Sequence, residues 1–318
     1  MKKLLLASVL CLAAVMMITP AYATETWDPH LHGVDEGLAA GALPPPGVYF
    51  INDSYFAPVA PIMGADGHQV PGLKLFAYVD VPILLWVPGC KFLGADYGVA
   101  IAEPFDYVNV MLAHPAFTGA GVLTVANTSG SQWGTFNTIF LPYILSWKLP
   151  CDFRVKTALA IGFNDGTSAK TDSFEAQNVL VAPSSNGYYS FTPEVGISWL
   201  HAGWNLSAEF FYTFGLTNSD FEGGYQSGNQ FAADYTATYT CGKWTFGAGA
   251  AQEQQLFNDT NGLGTVGNSM ARLWTAGPIV GYNFGPCSLM FTANFQISGT
   301  NDPVGAFYNV RLVVPLWK

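Results

Sequence analysis

The chain has 318 residues and a formal net charge of −10; half of it is hydrophobic and only 11% is charged, against a usual ~25%. An acidic chain with twelve Lys and Arg offers no cationic face for nucleic acid. Past the N-terminus no stretch holds the ~18 uninterrupted apolar residues of a spanning helix, so its apolar surface must be accommodated some other way.

Residues 1–23 read as a secretory signal. Lys2 and Lys3 begin it, an apolar run follows, and Ala21-Tyr22-Ala23 is an A-x-A cleavage site. Cys11 lies inside the apolar run, too early for a lipoprotein site. Cleavage leaves a mature charge of −12, compatible with acidic outer loops and a polar lumen. Residues 24–46 precede the first strand: 24–43 show no periodicity, and Pro44-Pro45-Pro46-Gly47 is a stiff turn into the strand. The segment is expected to be mobile, as a periplasmic lead-in or a small plug. The His30-Leu31-His32 pair lacks a neighbouring third ligand, so no metal site is expected.

From Gly47 onward the pattern changes to period two, the signature of strands, because successive side chains leave opposite sides of a pleated chain. Strands are predicted over 47–60, 72–86, 91–110, 133–148, 153–163, 188–200, 204–216, 231–240, 243–255 and 272–284, with loops at 117–131, 164–186, 217–229 and 256–270. Pro104 is a candidate break in the third strand. Pro82 and Pro142 mark bulges or kinks in strands that are partly apolar on both faces. In 204–216, Trp204, Leu206, Ala208, Phe210, Tyr212 and Phe214 oppose Asn205, Ser207, Glu209 and Thr213. The last hairpin is the cleanest. Leu289, Phe291, Ala293, Phe295 and Ile297 alternate with Met290, Thr292, Asn294, Gln296 and Ser298; then Tyr308, Val310, Leu312, Val314 and Leu316 share one face against Asn309 and Arg311.

Most of these strands reach the ~9–11 residues that cross a bilayer when tilted, and no amphipathic helix is present to cover their apolar face. About twelve strands, an even number, with short turns near 89, 151, 202, 241 and 286 and longer connections between the others, match a barrel with both ends in the periplasm. Trp86, Trp147, Trp199, Trp204, Trp244 and Trp317 sit at strand ends, where indoles favour the membrane interface. The expected fold is therefore all-β: a transmembrane antiparallel β-barrel over 47–318, in the bacterial outer membrane, with lipid against its apolar face and the barrel-assembly machinery as a partner. A secreted, glycine-rich β-protein is the other reading, and it would carry more surface charge.

Several stretches resemble a known family, the outer-membrane proteins of the phenol meta-pathway degradation group. They are Leu43-Pro-Pro-Pro-Gly-Val-Tyr-Phe50, Phe92-Leu-Gly-Ala-Asp-Tyr-Gly98 with Pro104, Leu141-Pro-Tyr-Ile-Leu-Ser-Trp147, Tyr188-Tyr-Ser-Phe191, and Asp234-Tyr235 before a glycine-rich strand. The resemblance implies a barrel and, by association, passive uptake of small hydrophobic or aromatic compounds. It brings no catalytic residues and no cofactor. The alternative is a structural or adhesive surface barrel without transport.

The polar parity should line the lumen, with Arg154, Lys156, Glu194, Glu209, Asp234, Asn309 and Arg311 as candidates. Charges of both signs there can pair across the lumen or guide a solute, and twelve strands imply a narrow or partly blocked pore. An apolar passenger could leave sideways through the wall. Cys90, Cys151, Cys241 and Cys287 each fall in a short turn on one rim. In an oxidising periplasm they read as disulfides, with Cys90–Cys151 and Cys241–Cys287 as neighbours, although adjacent turns stand ~10 Å apart and a bridge wants Cα atoms within ~7 Å. A Cys₄ metal site lacks its C-x-x-C pairs. No enzyme is expected: there is no G-x-S-x-G and no phosphate loop, and Asn258-Asp-Thr-Asn-Gly262 lacks the closing Glu of a calcium loop.

Overall fold

The computed structural model describes residues 29–117, 123–167, 184–219 and 224–317; the expected signal sequence lies outside them. Fourteen strands carry the architecture. They are β1 (Gly47–Met63), β2 (Gln69–Val87), β3 (Ala95–Ala102), β4 (Phe105–Phe117), β5 (Leu123–Thr135), β6 (Ile139–Lys148), β7 (Phe153–Gly162), β8 (Ser190–His201), β9 (Trp204–Gly215), β10 (Gln230–Cys241), β11 (Trp244–Gln255), β12 (Arg272–Asn283), β13 (Ser288–Thr300) and β14 (Ala306–Trp317). Twelve of them close a ring of antiparallel neighbours, with β14 meeting β1 and β2 meeting β3. The remaining two, β4 and β5, form a long hairpin that continues β3 and β6 upward. Closure leaves the ring without an edge, which is the condition for a sheet to sit in lipid.

The alternation read from the sequence is realised as an apolar outside and a largely polar inside. Phe291, Phe295 and Ile297 of β13 are exposed, whereas Asn294 beside them is buried. Leu206 and Phe214 of β9 face out, while Glu209 is only 1% exposed. No second layer of protein covers the apolar face among the described residues, so acyl chains are its solvent. At the end with the short turns the aromatic residues pack across strands. Trp204 lies 5.0 Å from Tyr239 and Trp244 lies 4.7 Å from Tyr282, ring centre to ring centre. One polar trio breaks the outer pattern: Asn52 and Ser54 of β1 both donate to Asp80 Oδ1 on β2, at 2.8 and 2.9 Å.

The third and fourth staves depart from the expected pattern. The loop expected over 117–131 is largely strand: β5 pairs with β4 along its whole length. Its polar, small residues (Asn127, Thr128, Ser129, Gly130, Ser131) show no apolar parity, and they take their place through the backbone ladder with β4. Pro104 does break the stave. At Glu103-Pro104 the chain leaves the ladder, and β2 changes partner there, pairing 73–80 with β4 and 83–86 with β3. The neighbouring stave breaks at 136–138, where the Phe136 N–H donates to the Pro104 carbonyl. Pro142 sits in a register shift between β6 and β7. Among the described residues no strand pairs with the far edge of β5; Thr135 instead exchanges hydrogen bonds with Thr167.

The four cysteines lie at the rim with the short turns, in or beside the turns before β3, β7, β11 and β13. All four are free thiols, so the bridges expected for Cys90–Cys151 and Cys241–Cys287 are not formed among the described residues. Consecutive turns on this rim are two strand spacings apart, ~10 Å, beyond a disulfide's reach.

Candidate functional site

Residues 29–46 lie inside the barrel, bonded to its wall. Their path is a series of tight turns, closed by Val34 N–H to the Leu31 carbonyl (3.0 Å), Leu38 to Asp35 (3.2 Å) and Ala42 to Ala39 (2.8 Å). A chain that forms neither helix nor sheet must satisfy its other backbone groups elsewhere, and here the wall does so. The Gly37 N–H donates to Thr236 Oγ1 at 2.8 Å and the Gly41 N–H to Ser198 Oγ at 2.7 Å. In turn the Ser146 hydroxyl donates to the Gly41 carbonyl, the Asn205 amide to the Leu38 carbonyl and the Tyr55 hydroxyl to the His32 carbonyl. Glycines allow the close approach: a Cβ on Gly196 of β8 would overlap the Ala40 carbonyl, and one on Gly41 would overlap that of Arg154.

The charged side chains pair in the same space. His30 Nε2 is 3.1 Å from Asp234 Oδ2, which also accepts the Asp35 N–H at 2.9 Å. The Asn294 amide donates to Glu36 Oε1 at 2.9 Å. Burial, with repulsion from Asp234 adding to it and the Asn294 amide offsetting it, pushes the Glu36 carboxyl up to about 9. Lys156 forms an ion pair with Glu209. Arg311 Nε donates to Asp53 Oδ1 at 2.9 Å and its Nη2 to the Val34 carbonyl at 2.5 Å, and the Asn309 amide also reaches Asp53 at 2.7 Å. His30, Asp35 and Asp234 bring one donor atom each within 4.8 Å of one another, the donor types of a cation site. Arg311 and the hydrogen bonds just given already occupy these carboxylates.

Of the seven lumen candidates, Glu194, Glu209, Asp234, Asn309 and Arg311 are buried, and Lys156 is nearly so. Arg154 is half-buried, near the rim with the short turns. Sequence reasoning missed Asp53, Asp106, Glu36 and Glu253, all buried. Asp53 carried a signal: it shares the parity of Tyr49, Ile51 and Tyr55, so an acid stands on the face that points inward.

The polar contacts cluster on the wall from β8 to β14. The opposite wall, β2 and β3 with β6, turns mainly apolar side chains inward, while Asp53 and Tyr55 of β1 and Ser146 of β6 join the polar contacts. Between that wall and the inner segment's Leu31, Val34 and Leu38 lies a cavity of about 230 Å³, lined mainly by Val79, Val81, Ile83 and Leu85 of β2 with Ala102 and Leu141, and bordered also by Asp53, Asp106, Lys156, Glu194 and Arg311. The strands that are apolar on both faces in the sequence thus meet lipid on one side and this cavity on the other.

The family described as "Putative MetA-pathway of phenol degradation" matches residues 62–312. The chain belongs to this family. Among solved structures it is similar to the COG4313 outer membrane channel from Pseudomonas putida F1, with 14% identity and a TM-score of 0.66 over 86% of this chain and 97% of that one. That is a likeness of fold. Looser likenesses are to the NanC porin (11% identity, TM-score 0.42, 85% and 99% covered) and to the β domain of the Bordetella autotransporter BrkA (10%, 0.45, 85% and 99%); neither supports an argument. No curated protein matches the sequence. The membership agrees with the motif resemblance, and the matched span covers the ring except for most of β1 and the end of β14, leaving the inner segment outside it.

Proposed function

We propose that this family member is an outer-membrane channel for the passive entry of small hydrophobic solutes, single-ring aromatics in particular. The cavity is the observation that supports this most directly. The interior of an outer-membrane barrel is ordinarily polar, yet one wall here presents a continuous aliphatic surface inward beside a space of about 230 Å³. A dry cavity of ~150 Å³ lined by Leu, Ile and Phe takes up benzene, so the space suits one ring with a small substituent. Burying such a ring gains ~25 cal/mol per Å² of apolar surface removed from water. A surface barrel whose loops did the work would have no use for an apolar chamber. The inner segment crosses the lumen and is bonded to its wall, and this reading takes the break in the ladder at Glu103-Pro104, which borders the chamber, as the exit of an apolar solute sideways into lipid.

The test is the initial rate of uptake of a radiolabelled monoaromatic by cells with an intact lipopolysaccharide leaflet, with the protein present, absent, or carrying Ala102→Phe to fill the chamber. Faster uptake only with the unaltered protein supports the channel. Equal rates in all three would sink it.

A further inference from the structure

We propose that Asp106 is the recognition group of the apolar chamber, accepting a hydrogen bond from a small apolar solute that carries one hydroxyl or amine. The proposal rests on the channel reading and narrows its substrate class from plain hydrocarbons to rings with a single donor.

Asp106 is the second residue of β4, just beyond the break, in register with Val79 of β2 and Gly134 of β5. It is 1% exposed and its side chain lines the chamber. Both carboxyl oxygens are buried without a hydrogen-bond partner among the described residues. The Ser184 hydroxyl lies near it but makes no hydrogen bond of workable geometry. The other acids facing the chamber are accounted for. Asp53 takes Arg311 and Asn309, Asp35 takes Arg311, and Glu194 sits in the field of Lys156.

A carboxyl buried among Val79, Ala102, Pro104 and Phe136 is costly, because it forfeits hydration and has in return only the nearby Ser184 hydroxyl, outside hydrogen-bonding geometry. Packing gives no reason for an acid there, since the next inward residue of β4, Val108, fills its place with an apolar side chain. A bound molecule that donates one hydrogen bond and buries its ring against the β2 wall would supply what the site lacks. The carboxyl accepts such a bond in either protonation state. The general design is that of small-molecule sites, which are mostly apolar with few polar groups that fix orientation.

The experiment measures binding of benzyl alcohol and of toluene to the purified protein in perdeuterated-lipid nanodiscs by saturation-transfer NMR, each corrected for empty nanodiscs. It compares the unaltered protein, Asp106→Asn and Asp106→Leu, with folding checked by heat-modifiable gel mobility. The unaltered protein should bind benzyl alcohol roughly tenfold more tightly than toluene, the scale of one hydrogen bond to a buried carboxyl. Asp106→Leu should abolish that preference while retaining toluene binding. Asp106→Asn keeps an acceptor in the same shape and should retain most of the preference. Toluene binding with no preference in the unaltered protein, as when water alone serves the carboxyl, overturns the role of Asp106. So does a preference that survives Asp106→Leu. Binding of neither probe overturns the channel reading itself.

Discussion

Arg311 and Asp53 are register partners across the seam where the last strand meets the first, and the guanidinium Nε donates to the carboxylate at 2.9 Å. The same guanidinium reaches inward to the Val34 carbonyl and to Asp35. One side chain therefore joins the ring's closure to the segment inside it. Removing Arg311 leaves a buried carboxylate with only Asn309. Arg311→Ala should lower the barrel's unfolding free energy by about 3–5 kcal/mol, read by urea titration in lipid vesicles. Replacing both Arg311 and Asp53 with Leu should recover most of the loss, because two apolar side chains need no partner. A single variant as stable as the parent would contradict a structural role for the pair.

The inner segment occupies the polar half of the lumen, so its removal should expose that half to water. Deletion of residues 29–43 is expected to raise single-channel conductance in planar bilayers several-fold. The opened lumen retains Glu194, Glu209, Asp234 and Glu253 against Lys156 and Arg311, so the current should be carried mainly by cations. Unchanged conductance would mean that the segment does not limit ion passage.

Glu36 gives the docked segment a pH dependence. Its carboxyl ordinarily titrates near 4.5 and is raised to about 9 in place. The docked state therefore binds a proton that the released state has already lost between those values, and stability falls as pH rises through that window. Hydrogen exchange of residues 29–43 should quicken from pH 5 to pH 9 beyond the intrinsic chemical rate. Glu36→Gln, which keeps an acceptor for Asn294 but cannot ionise, should flatten the dependence. A slope that persists in this variant would remove Glu36 as its source.

The rim cysteines yield a count. With neighbouring turns ~10 Å apart, a polymer-tagged maleimide applied to unreduced, unfolded protein should add four labels per mature chain. Two labels would report one bridge and none would report two, and in either case the turns must lean together in the membrane.

The motif order Phe92-to-Gly98, Leu141-to-Trp147 and Tyr188-to-Phe191, all within the matched residues, was enough to indicate the family, and period-two alternation was enough for the barrel. Parity is a local property: once Leu206 and Phe214 face out, Glu209 must face in, whatever the rest of the chain does. The turn and loop asymmetry, equally local, set the number of staves and which end carries the cysteines. Pro104 announced a break because no proline can donate to a ladder.

What a side chain meets inside the ring was decided only by closure. Residues 29–46 have no period of their own, and their partners Ser198, Asp234, Asn294 and Arg311 lie 157 to 277 residues away, so their docking left no trace in local pattern. β5 was hidden for a related reason, since a strand of small polar residues is held by its neighbour's backbone. The chamber and the solitary Asp106 likewise exist only after β2, β3, β6 and the inner segment are brought together. Facing follows from the residue itself; pairing follows from which distant residues the closed ring places opposite.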